Sequence, residues 1–163
     1  MMNIVTALES NSAVIADFHA KAARVPKARW AESRAPGKWS PAQVAEHVAL
    51  AYETSDALLR GPAPGGAPRF LRPLLRGVLM GMVLRREAFP RGSRSPRIMQ
   101  PATVPAERGV VLERLHAAAA AFDAHVRAHG PAVEHPFFGA VPLENFIRFQ
   151  EIHTRHHAAQ LPG

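Results

Sequence analysis

Residues 143–160 read LENFIRFQEIHTRHHAAQ, directly after Pro142. A proline at that place opens a helix. At helical spacing one stripe collects Leu143, Phe146, Ile147, Gln150, His153, His157 and Gln160. Its first half is an ordinary apolar core face. Its second half puts imidazole and amide groups where a core wants hydrocarbon. Burying such groups unsatisfied is costly, so the stripe predicts a helix that carries chemistry into the interior.

Three further helices are legible upstream. Ile4, Leu8, Val14, Ile15, Phe18 and Ala22 keep helical spacing over 4–24, and Pro26 ends the run. Ser40-Pro41-Ala42-Gln43 is a capping box with proline at the first helical position. The helix it opens carries Val44, Val48, Ala51, Leu58 and Leu59 on one stripe and stops before Gly61-Pro62. Val111, Leu115, Ala119, Phe122 and Val126 mark a helix from about Ala106 to His129, ended by Gly130-Pro131. Strand-like alternation does not persist over any useful length. Four long helices predict an all-α fold, a four-helix bundle of one domain over 1–163.

The long connection between the second and third of these helices is Pro- and Arg-rich. From Arg60 to Arg108 ten arginines face only Glu87 and Glu107, a balance of +8, while the whole chain carries +7. Within it, 61–68 and 88–105 read as loops. Residues 69–86 (RFLRPLLRGVLMGMVLRR) read as a short helix, a lid or a homodimer contact packed on the bundle, with an amphipathic surface helix as the rival reading. Nucleic-acid binding is disfavoured, because only Phe70 and Phe89 interleave with the basic residues.

Zero Cys excludes disulfides, thiolate metal sites and a cysteine nucleophile. Chemistry must then use histidine, carboxylates, hydroxyls or a metal. The start MMNIVTALES has no basic, then apolar, leader pattern, and no stretch reaches the length of a membrane span, so a cytoplasmic protein is expected.

His153 and His157 stand four apart and so share a helix face. Such a pair alone is most often unliganded. His47 raises the case, because it lies one turn after Val44 on the core stripe of another helix. Facing helices are where bundles build metal sites, and three histidines with an open position form a catalytic pattern. His156 is set roughly 60° around the helix from His153; it reads first as a bystander of the pair and second as a candidate to support a ligand from behind. Gln150, one turn before His153, is the candidate pocket-lining residue. His19, His116, His125 and His129 read as surface residues, and His135 as a packing or turn residue.

Trp39-Ser40-Pro41 with His47, followed by His153-Thr154-Arg155-His156-His157-Ala158-Ala159-Gln160, resembles the DinB/YfiT-like family of metalloenzymes. The matching patterns are W-S-x6-H and H-x3-H-x2-Q. The resemblance implies an up-down-down-up four-helix bundle with His47, His153 and His157 as ligands of a divalent ion, zinc or nickel. It also implies a low-molecular-weight thiol and S-transferase or isomerase chemistry. The region 61–105 varies in that family, so no role is carried onto it. The first functional expectation is a metal-dependent S-transferase or hydrolase acting on a small-molecule substrate. The alternative is a non-catalytic metal- or small-ligand-binding protein. A nucleic-acid or membrane-surface role for 69–97 ranks third.

Overall fold

The computed structural model describes residues 3–90, 92 and 95–162. It is mostly helical, with one small sheet. The long helices are α1 (Ile4–Arg24), α3 (Pro41–Arg60), α6 (Arg108–Ala128) and α7 (Leu143–Ala158). Short helices are α2 (Lys27–Trp30), α4 (Arg72–Leu75) and α5 (Gly81–Arg86), and the two strands are β1 (Ala132–His135) and β2 (Gly139–Pro142).

Local chemistry sets the helix ends. Asn3 Oδ1 accepts from Val5 N at 2.6 Å to start α1, and Lys21 and Arg24 sit in its last turn, where positive charge suits the helix dipole. At α3, Gln43 N donates to Ser40 Oγ at 3.3 Å and Ser40 N donates to Gln43 Oε1 at 3.0 Å. The capping box is therefore formed in both directions.

α3 packs mainly on α6, and α1 mainly on α7, while α3–α7 and α1–α6 contacts close the set. Phe18, Val48, Tyr52, Leu115, Phe122 and Ile147 are buried at the centre. The Tyr52 ring meets Phe122 edge-on at 5.6 Å. Its hydroxyl donates to Asn11 Oδ1 at 2.8 Å and lies 3.1 Å from Thr154 Oγ1. One side chain of α3 thus reaches α1, α6 and α7. Its buried phenol is held in the neutral form, with a pKa well above the usual range, mainly because burial disfavours the phenolate.

Strands do form, against the expectation from the absence of alternation, and a further short helix lies outside the four expected ones. The connector after α6 holds an antiparallel hairpin, with His135 opposite Gly139 and Val133 opposite Val141. Gly139 has φ 67°, the left-handed residue that closes a three-residue hairpin loop. With four-residue strands and one buried valine in each, the alternation is too short to register. The loop after α1 also holds α2, which buries Trp30; the indole N–H donates to Ala106 O at 2.9 Å.

The 69–86 segment is one continuous helical run of changing pitch. A 3-10 turn (Arg69–Leu71) leads into α4, a π turn (Arg76–Met80) and α5. It docks by one side only. Met80 and Val83 are buried, Arg72 Nη1 donates to Glu134 Oε1 at 3.2 Å, and Arg76 donates to the Ala140 carbonyl. Glu87 ends the run at φ 50°, and its carboxylate is held by Arg148 and Arg155 of α7. Among the described residues no helix is long and apolar enough to cross a membrane.

Candidate metal centre

α3 supplies His47 and α7 supplies His153 and His157, and the three rings meet with centroids 4.6–5.0 Å apart. One nitrogen from each lies within 4.8 Å of the others. His47 Nε2 and His153 Nε2 are 3.0 Å apart. Two nitrogens each about 2.0–2.1 Å from one ion stand about 2.9–3.4 Å apart at ordinary bond angles. The arrangement meets the geometric condition for holding a metal ion.

The outer nitrogens decide where the inner lone pairs point. His47 Nδ1 lies 2.6 Å from Met99 O, and a carbonyl can only accept, so Nδ1 carries the proton. In the neutral ring His47 Nε2 is then a bare lone pair aimed at the centre. His157 Nδ1 donates in the same way to Gln160 Oε1 at 3.1 Å, while Gln160 Nε2 donates to His156 Nε2 at 3.0 Å. His156 therefore reaches the centre through Gln160. His153 Nδ1 is buried without a partner among the described residues.

All three rings are held neutral. Burial is the largest cause for each. The neighbouring imidazoles add to it, putting His157 at about 3 and His153 well below the usual imidazole range. His47 is lowered by burial against a partial upward pull from Met99 O. Neutral imidazole is the form that ligates a metal. Neither neighbouring carboxylate turns to the centre. Glu46 Oε2 accepts from Ala102 N at 3.1 Å and Glu46 also pairs with Arg114, while Glu151 pairs with Arg155.

Aromatic rings and the crossover enclose the triad. Trp39 lies 4.8 Å from the His47 ring and 6.3 Å from the His157 ring; Phe89 lies 5.3 Å from His153. The segment carrying Met99 is tied to the start of α3 by Gln43 Nε2 donating to Ala102 O at 3.3 Å. A cleft of about 160 Å³ opens beyond Trp39, lined by Arg29, Arg34, Gln160 and Leu161 among others.

The sequence-selected residues divide here. His47, His153 and His157 come together, with His156 one hydrogen-bonded step behind. Gln150 is buried, its Oε1 accepting from Ser55 Oγ at 3.3 Å and its Nε2 without a partner among the described residues. Sequence reasoning missed Met99 and Phe89. A main-chain carbonyl leaves no side-chain signal, and Phe89 sits in a loop without periodicity. His125, read as a plain surface residue, is exposed yet bonded to Asp56 Oδ1 at 2.6 Å.

No curated protein and no solved structure matches the chain. A family model described as "Protein of unknown function (DUF1569)" matches residues 9–162, which takes in both α3 and α7 and hence all three histidines. The chain belongs to the DUF1569 family.

Proposed function

We propose that this chain is a divalent-metal-dependent enzyme of the DinB/YfiT-like type, a single domain whose four long helices form an up-down-down-up bundle. His47, His153 and His157 hold the ion, zinc or nickel, through three neutral imidazoles. The observation that carries the reading is the pair of Nε2 atoms 3.0 Å apart at the meeting point of three rings, two of them buried and that of His153 partly so. Structural zinc sites are closed by four protein ligands, and catalytic sites keep a position open. Among the described histidine and carboxylate side chains three are gathered here.

When bound, such an ion supplies Lewis acidity and lowers the pKa of a water or thiol beside it. The chain's own residues do the rest. The Met99 carbonyl and Gln160 fix the His47 and His157 tautomers, so their Nε2 lone pairs face inward. Trp39 and Phe89 wall the centre and limit water, which strengthens electrostatic interactions there. In the adjoining cleft Arg29 is paired with Glu32, which leaves Arg34 as the charge that favours an anionic substrate or thiol cofactor. The protein has no cysteine, so a low-molecular-weight thiol brings the sulfur in an S-transfer reaction. Hydrolysis at the same centre uses water in its place.

The test is cobalt substitution. A small thiol added to the cobalt protein is expected to produce a new sulfur-to-metal absorption band and to shift the visible spectrum. A spectrum that neither thiol nor azide moves would mean a closed centre and would contradict an enzymatic reading.

A further inference from the structure

Residues 69–86 turn five large apolar side chains outward. Phe70 is 80% exposed, Leu74 61% and Val78 54%, with Leu71 and Leu79 also exposed. Elsewhere large exposed apolar residues are scattered, which is ordinary. Here five lie within ten residues on one structured run, and a contiguous patch of that kind marks an interaction surface. The run is not a stray loop, because Met80, Val83, Arg72 and Arg76 fasten its other side to the body.

The charge around the patch selects the partner. Arg69, Arg85, Arg86 and Arg97 are exposed and have no carboxylate partner among the described residues. The nearest acid, Glu87, is already held by Arg148 and Arg155. A second copy of the chain would set arginine against arginine across a symmetric contact, which disfavours self-association. A nucleic acid would satisfy the arginines and leave Phe70, Leu74 and Val78 in water. A surface that is anionic outside and hydrocarbon within satisfies both.

We propose that residues 69–86 form a peripheral docking face for anionic lipid bilayers. Phe70, Leu74 and Val78 enter the headgroup–acyl boundary, and Arg69, Arg85 and Arg86 meet the lipid phosphates and carboxylates. Interfacial helices bind by this combination of apolar burial and attraction to anionic lipid, with each basic residue strengthening the attraction several-fold. The inference is independent of what the metal centre does.

The experiment is co-sedimentation of the full chain with phosphatidylcholine vesicles, with and without phosphatidylserine, at low and high salt. About tenfold stronger binding to the serine-lipid vesicles is expected, falling steeply with salt. Phe70→Ser/Leu74→Ser and Arg85→Glu/Arg86→Glu should each lose most of it. All four positions are exposed, so circular dichroism should show both variants folded. Three results would overturn the proposal: equal or no binding to the two vesicle types, variants that bind like the wild type, or a dimer that Phe70→Ser/Leu74→Ser dissociates. Binding to polyglutamate or DNA with none to vesicles would overturn it too, in favour of an acidic macromolecule.

Discussion

The α3–α7 centre and the 69–86 run break the same packing rule in opposite directions. One carries imidazoles into the interior; the other turns phenylalanine, leucine and valine to solvent. The difference lies in where compensation is found. At the centre it lies largely within the chain: Met99 O accepts from His47 Nδ1–H, Gln160 Oε1 accepts from His157 Nδ1–H, and burial keeps the rings neutral, with His153 Nδ1 left unpartnered among the described residues. Along 69–86 no described residue covers the apolar side. Local departures from the packing rule concentrate where a protein works. We read the first departure as a site for an ion and the second as a docking face.

Truncating one apolar residue in each setting should separate them most widely. Phe122→Ala, at the heart of the core, is expected to cost about 3–5 kcal/mol in denaturant unfolding. Leu74→Ser should stay within about 0.5 kcal/mol, as for other surface changes. A large loss at Leu74 would mean the run is packed in solution, and the contrast would fail.

Metal should act on the centre alone. Zinc or nickel at roughly a hundred times its dissociation constant is expected to add about 2.7 kcal/mol of stability. For a chain of this size that raises Tm by about 5–10 °C. Thermal scans of His47→Ala should show no such rise, and Phe70→Ser/Leu74→Ser should show all of it.

Acid should weaken the interior and leave the outward run indifferent. Burial and the Arg72 charge lower His135 to about 4, against an unfolded value of about 6.5. Between those values the unfolded chain binds a proton that the folded chain does not, so stability falls as pH falls. The expected loss from His135 is on the order of 1–2 kcal/mol by pH 5. In His135→Phe the slope of stability against pH should flatten over that window. An unchanged slope would show that His135 is not held neutral.

A smaller loss than these is expected at the cap. Ser40→Ala removes one half of the capping box and should cost about 1 kcal/mol. Gln43→Ala should cost a similar amount and also free the crossover at Ala102, so its metal affinity should fall while that of Ser40→Ala does not. Equal metal affinities would show that the tie to Ala102 leaves the centre untouched.

Long periodic stretches were the legible part of this chain. α1 runs over the expected 4–24, and the Ser40–Gln43 box starts α3 where its residues promise. The buried faces of α3 and α6 are the expected ones, although Ile4 of α1 is 38% exposed. The hairpin was not legible because its strands are four residues long. The outward turn of Phe70, Leu74 and Val78 was hidden because periodicity marks a face and does not say what covers it. At the centre, histidines on two core stripes were visible because they contradict the stripe. Met99 was not, since every residue carries a carbonyl, and Gln150 on the same stripe proved to serve Ser55.

The central claim is that three neutral imidazoles on α3 and α7 hold one divalent ion. Mass-spectrometric metal content of untagged protein, wild type beside His153→Ala, tests it most directly. The account predicts about one ion per chain in the wild type after loading with zinc or nickel, and none retained by a folded His153→Ala variant. Stoichiometric metal in that variant, or none in the wild type after loading, would contradict it.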